Sequence, residues 1–268
     1  MARNILQCFS EEHPHYPLTL ALTKAVERYK AKASSEHTEQ QVPPKVLVYQ
    51  QPSHWTDAAD ALLQLGAAKT LKDITLSDEE DPKGHLIMEQ DVFRVASLYL
   101  TFPLTFAVNT KYKTKITPAT EDKTDKCRVD DSFNINAGTD QKRMIMIIEF
   151  KRMGLLKVRA FEAASVAQGG QAAKLAAMNK TKQFKSSVKE GTNAWWFTKQ
   201  ATAYSVKSNC KFVALCDYDS LVLLWFDNGL ESAKITIGDR KDFRKLLLGF
   251  LDKACEYAGL EQEVMASN

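Results

Sequence analysis

Where the chain reads MIMIIEFKR, Met144 to Arg152, an apolar run ends by presenting a carboxylate and an ammonium two residues apart. In a strand that spacing puts Glu149 and Lys151 on one face, with Phe150 on the other. An acid and a base buried together are costly unless they are paired or bind something. Other acid-x-lysine triplets occur at Asp81–Lys83, Glu121–Lys123, Asp140–Lys142 and Asp239–Lys241. Those stand in polar, loop-like or helix-starting stretches. Only Glu149–Lys151 is fused to a strand that looks buried on both faces.

A second carboxylate is expected on the preceding strand, and CRVDDSFNI supplies Asp130 and Asp131. Asp131 shares parity with Val129, Phe133 and Ile135, so it is expected to point inward. Asp130 shares parity with Ser132 and Asn134 and is expected to be solvated. Asp131 and Glu149 together suit a hard divalent cation, Mg²⁺ or Mn²⁺, and the Phe150 carbonyl is a further ligand candidate. Such an ion acidifies a bound water and stabilises charge on a phosphoryl oxygen. Lys151 would then hold the attacking water or the transition-state oxygens. Histidine is no part of this chemistry, because all five histidines fall in the first 85 residues. His13 and His15, in the proline-rich HPH stretch, read as loop.

These residues resemble the PD-(D/E)XK nuclease superfamily, whose motif is an Asp followed by (D/E)xK on adjacent strands. The proline of that motif is absent here, where Val129 and Asp130 precede Asp131. Further along, QATAY, Gln200 to Tyr204, is similar to the Q-x-x-x-Y helix motif of the RecB and phage-exonuclease branch. Gln200 and Tyr204, four apart, share a helix face. The resemblance implies that Gln200 orients the metal site and that Tyr204 supports it or touches substrate. It also implies a further acid from the helix before the strands, with Glu89 in LIMEQDVF the candidate. The likeness spans roughly residues 86–226.

The elements that must position these groups follow from pattern. Residues 1–85 read as a mostly helical extension packed on the core, with helical periodicity at 17–33 and 53–68 and a short strand at KVLVYQ. Residues 86–268 read as the nuclease-like domain. It starts with a helix near 86–100 and continues with strands at TFAVNTKYKTKI, CRVDDSFNI and MIMIIEF. Helices, the strand pair KFVALCDY and SLVLLWF, and a last helix at 239–259 follow. The order gives an α/β (α+β) class, a mixed sheet flanked by helices, and the resemblance implies a restriction-endonuclease-like core.

Charge is uneven. The net +3 divides into +8 over Lys151–Lys199 and −5 elsewhere. That block includes a lysine-rich helical insert at about 155–192 and points to a polyanion. Arg152, Lys157, Arg159, Lys182, Lys185 and Lys199, with Tyr204, are the expected nucleic-acid contacts, and AWWF (194–197) is a stacking candidate. A solvated helical face and a buried tryptophan pair are the plainer readings of the same residues. No apolar run approaches the roughly 20 residues of a membrane span. Five widely spaced cysteines without a CxxC pair fit a reducing, intracellular setting, nucleus or cytoplasm. The expectation is thus a Mg²⁺- or Mn²⁺-dependent nuclease acting on DNA ahead of RNA, without a membrane partner, compatible with a homo-oligomer or a larger assembly. A catalytically inactive binding or interaction module on the same fold is the alternative.

Overall fold

The computed structural model describes residues 3–17, 20–31, 36–64, 75–76, 86, 88–124, 127–136, 142–181, 186–227 and 231–262. The first described elements are β1 (Arg3–Asn4), α1 (Ile5–Cys8), α2 (Leu20–Arg28), α3 (Glu36–Gln40), β2 (Val46–Tyr49), α4 (Ser53–Gln64) and β3 (Thr75–Leu76). Then come α5 (Glu89–Val108), β4 (Ile116–Thr124), β5 (Cys127–Asn136), β6 (Lys142–Phe150), α6 (Val158–Ala164), β7 (Ser165–Val166) and α7 (Gln171–Thr181). The last are α8 (Asn193–Ser208), β8 (Phe212–Cys216), β9 (Leu221–Trp225), β10 (Ser232–Gly238) and α9 (Phe243–Tyr257).

Eight strands form one mixed sheet in the order β4-β5-β6-β8-β9-β10-β2-β7. Strands β4, β5 and β6 run as an antiparallel meander, β8 is parallel to β6, and β9 and β10 continue antiparallel. A parallel neighbour needs a crossover, and α8 lies in the one joining β6 to β8. Both faces of the sheet are covered. Met146, Ile148 and Phe150 pack with residues of α4, α5 and α9, whereas Ile147, Val213 and Leu215 pack with Phe197, Ala201 and Tyr204 of α8. This explains the lack of alternation in MIMIIEF, all seven residues of which are buried.

Strand β10 was not among the sequence expectations, and β2 does more than pack on the core. It enters the large sheet between β10 and β7, pairing parallel to both. The stretch TFAVNTKYKTKI is corrected too: its first residues finish α5, and the strand begins only at Ile116. The expected helical insert is two helices separated by β7.

Helix α5 is the one described helix long and apolar enough to cross a membrane, but more than half of its apolar window is buried inside the fold. It carries Pro103, which cannot donate to the carbonyl four residues back and crowds it. A π-turn over Ser97–Thr101 precedes the proline, and the Tyr99 carbonyl takes a 2.6 Å bond from Arg244 Nε instead. The same turn directs Thr101 at β5. Helices α4 and α9 approach so closely at Gly249 that a Cβ there would lie 1.9 Å from the Trp55 carbonyl oxygen. No side chain fits.

Candidate metal centre at the end of strand β6

Glu149 and Lys151 stand at the end of β6, 4% and 7% exposed, and Lys151 Nζ lies 2.5 Å from Glu149 Oε1. Opposite them, β5 runs antiparallel with Asp131 across from Ile148, so Asp130 falls across from Glu149. Asp130 is partly buried and its Oδ2 accepts the Phe150 N–H at 2.8 Å. Glu89, the first residue of α5, brings Oε1 to 3.4 Å from Lys151 Nζ. One carboxylate oxygen each from Glu89, Asp130 and Glu149 lies within 4.8 Å of the others. Three acids therefore surround a single ammonium.

Helix α8 closes the site. Gln200 Nε2 donates to Glu149 Oε1 at 2.6 Å and lies 2.7 Å from Tyr204 Oη. Phe197, one turn earlier, places its ring 5.5 Å below Lys151 Nζ. Spacings of three and four put 197, 200 and 204 on one helix face, and the packing of α8 turns that face to Glu149. Tyr204 is 5% exposed, which makes it a support for Gln200 rather than a surface for substrate.

Electrostatics follow from crowding. Burial, with the Glu149 charge adding to it, raises Asp130 to about 8 despite the nearby Lys151 and the Phe150 N–H. Burial alone would lower Lys151, but Glu149, Glu89 and Asp130 outweigh it and hold the ammonium protonated above its ordinary range. Burial, with the charges of Glu149 and Asp130, pushes the Tyr204 phenol well up. Glu149 Oε2 is buried and, among the described residues, has no hydrogen-bond partner. A buried oxygen without a donor is an unmet demand for positive charge.

Asp131, expected in the site, is not brought to it. Its side chain faces the other way, is fully buried, and accepts a 2.9 Å bond from Thr101 Oγ1. Burial lifts it to about 7. The cause is a β-bulge. Between the pairs Phe133–Met146 and Asn134–Met144, β6 carries one extra residue, Ile145. A one-residue slip exchanges the faces of a strand, so it turns Asp131 away and brings Asp130 in. Glu89, assigned only through the resemblance, does join the cluster. Phe150 lends its N–H to Asp130, while its ring packs 5.6 Å from Phe93 on the α5 side.

Of the basic residues expected to contact nucleic acid, Lys157 and Arg159 are exposed and Arg152 is half-buried. Lys182 and Lys185 lie outside the described residues. Lys199 is corrected: it is 4% exposed and its ammonium donates to the Glu39 carbonyl at 2.8 Å, which does not make it a surface phosphate contact. Trp195 and Trp196 are half-buried and edge-to-face, with ring centroids 4.7 Å apart.

Compared with family models, with curated proteins and with solved structures, the chain has no match.

Proposed function

We propose that the protein is a divalent-metal-dependent nuclease, hydrolysing phosphodiester bonds of nucleic acid, DNA ahead of RNA, on a restriction-endonuclease-like core. The observation that carries this is the convergence of Glu89, Asp130 and Glu149 on one point, with Lys151 among them and Glu149 Oε2 buried with no donor among the described residues. The donor set fits Mg²⁺ or Mn²⁺: oxygen only, and more negative charge than one lysine balances. Support for the core comes from the order helix, three-stranded meander, helical crossover, parallel strand, with Glu89 at the start of α5, Asp130 on β5, Glu149 at the end of β6, and Gln200 and Tyr204 on the last crossover helix.

Glu89, Asp130 and Glu149 would hold the ion, which when bound acidifies a water and offsets charge on the phosphoryl oxygen. Lys151, kept protonated by its three carboxylate neighbours, serves as a donor to the developing oxyanion and not as a base. Gln200 fixes the carboxylate of Glu149 in place, and Tyr204 fixes Gln200. Water adds at phosphorus, one P–O ester bond breaks, and the departing oxygen leaves protonated.

The test is cleavage of labelled single- and double-stranded DNA and of RNA with Mg²⁺ or Mn²⁺, beside EDTA and a Lys151→Ala protein of equal folded content. Metal-dependent cutting that falls roughly 100- to 1,000-fold in the variant is expected. Tight binding without cutting in either metal would replace the enzyme by a binding module on the same fold.

A further inference from the structure

Among the described residues, the cation set among the three clustered acids is the chain's own lysine. Lys151 Nζ stands 2.5 Å from Glu149 Oε1 and 3.4 Å from Glu89 Oε1, and the charge of Asp130 also acts on it. One oxygen from each acid lies within 4.8 Å of the others, so an ion they share must be held in the space this ammonium reaches into.

Glu149 shows the conflict atom by atom. Its Oε1 accepts from both Lys151 Nζ and Gln200 Nε2, which takes both lone pairs of that oxygen. Its Oε2 is buried with no donor among the described residues. An ion at Oε1 would have to displace the ammonium or the amide, and an ion at Oε2 would face the ammonium across a single carboxylate. Glu149 and Lys151 are 4% and 7% exposed, and like charges repel far more strongly in so buried a site than in water. The ammonium also has little to fall back on. Its hydrogen-bond partners among the described residues are Glu149 and Glu89, and the Phe197 ring centroid lies 5.5 Å away. A buried ammonium that gives up its carboxylates needs another anion. In a phosphodiesterase that anion is the phosphate of the substrate.

We propose that Lys151 plugs the metal centre: it holds the three acids together without an ion, opposes the entry of Mg²⁺ or Mn²⁺, and moves onto the substrate phosphate when the ion enters. Metal and phosphate then bind cooperatively, each raising the affinity for the other by the same factor. The proposal rests on the nuclease reading and regulates that same site, because the ion is held tightly only where a phosphate receives the lysine. A lysine that acted only on the transition state would leave metal affinity unchanged when removed. One that merely kept Glu149 in place would weaken it.

Mn²⁺ binding to the full chain, followed by the electron paramagnetic resonance of the free ion, tests the plug without turnover. Thymidine 5′-monophosphate supplies the phosphate, since a monoester has no diester bond to cut. Lys151→Met should bind Mn²⁺ about 5- to 150-fold more tightly than wild type, the usual span of coupling between sites. Saturating nucleotide should tighten Mn²⁺ binding to wild type at least about fivefold more than it does in the variant. Lys151→Gln, which keeps a donor for Glu149 Oε1 and removes the charge, should move the same way, and thermal melting shows that the variants compared are folded. Should the folded variants bind Mn²⁺ no more tightly than wild type while wild type cuts with metal, the nuclease stands and the plug falls. Should they bind it more tightly, with the coupling to nucleotide lost, while wild type cuts nothing, the plug stands and the nuclease reading falls. Absence of Mn²⁺ binding in wild type and variants alike overturns the plug together with the metal centre.

Discussion

Two ion pairs are buried to nearly the same depth, and they behave as opposites. In one, Lys111 Nζ lies 2.7 and 2.8 Å from the two oxygens of Asp252, whose Oδ1 also accepts from Tyr112 Oη at 2.7 Å. Every oxygen of that carboxylate has a donor, and the group ties the end of α5 to α9. In the other, Lys151 is shared among Glu149, Glu89 and Asp130, and Glu149 Oε2 has no donor among the described residues. Side-chain exposures are 10% and 4% for the first pair, 9% and 5% for the second. Burial alone does not separate structural charge from functional charge. Between these two pairs the difference is whether the donors and acceptors balance.

The sharpest way to break the comparison is one substitution on each side. Glu149→Gln should lower metal-dependent cleavage roughly 1,000-fold, by analogy with losing a transition-state contact, while changing unfolding free energy by no more than about 1–2 kcal/mol. Asp252→Ala should do the reverse. It leaves Lys111 buried without its main partner and should cost about 3–5 kcal/mol, with cleavage per folded molecule unchanged. Chemical denaturation beside the cleavage assay checks both. If Glu149→Gln proves the more destabilising of the two, the division into structural and functional pairs is wrong.

Metal binding sharpens the same contrast at smaller scale. Mg²⁺ or Mn²⁺ at about 100 times its dissociation constant should stabilise the wild-type fold by about 2.7 kcal/mol. Asp130→Asn should lose most of that gain, whereas Asp131→Asn should keep it. Thermal melting with and without the ion reads this directly, and the opposite ranking would restore Asp131 to the site.

That choice between neighbouring aspartates shows what the sequence could carry. That Glu149 shares a face with Lys151, and Gln200 with Tyr204, was legible because periods of two and four act within one element, where neighbours along the chain decide which side chains meet. That the second pair meets the first was implied by the resemblance alone. Asp130 was not legible, because its orientation is set by Ile145, an extra residue in a different strand. Extending the pairing from the β5–β6 turn, where Asn136 meets Lys142, puts Asp131 on the face of Glu149 until the bulge reverses it. The place of Val46–Tyr49 was hidden for a related reason. Its partner Ser232–Ile235 lies far along the chain, and no local pattern encodes which edge a short apolar strand will join. Lys199, one of the charges in the basic block, reads as surface until the chain at Glu39 is seen to cover it.

His13 extends the comparison to a third, balanced site and gives its smallest test. The HPH stretch, which reads as loop, holds a 3%-exposed imidazole whose Nε2 meets the Tyr218 carbonyl at 2.9 Å, stacked 5.1 Å from Phe243. Burial, helped by the charges of Arg240 and Arg244 and opposed by the Tyr218 carbonyl, lowers its pKa to about 3. A histidine held neutral in the fold contributes stability above its unfolded pKa of 6.5, and that contribution is lost as pH falls from there toward 3. The full shift corresponds to roughly 4–5 kcal/mol. Residues 12–17 have no helix or strand, however, so the segment can release His13 without unfolding the sheet. Global stability should therefore fall only about 1–2 kcal/mol between pH 6.5 and 4, and this part of the slope should vanish in His13→Gln. Denaturation at stepped pH measures it. A slope that persists in the variant would move the acid sensitivity to other groups and leave His13 as packing alone.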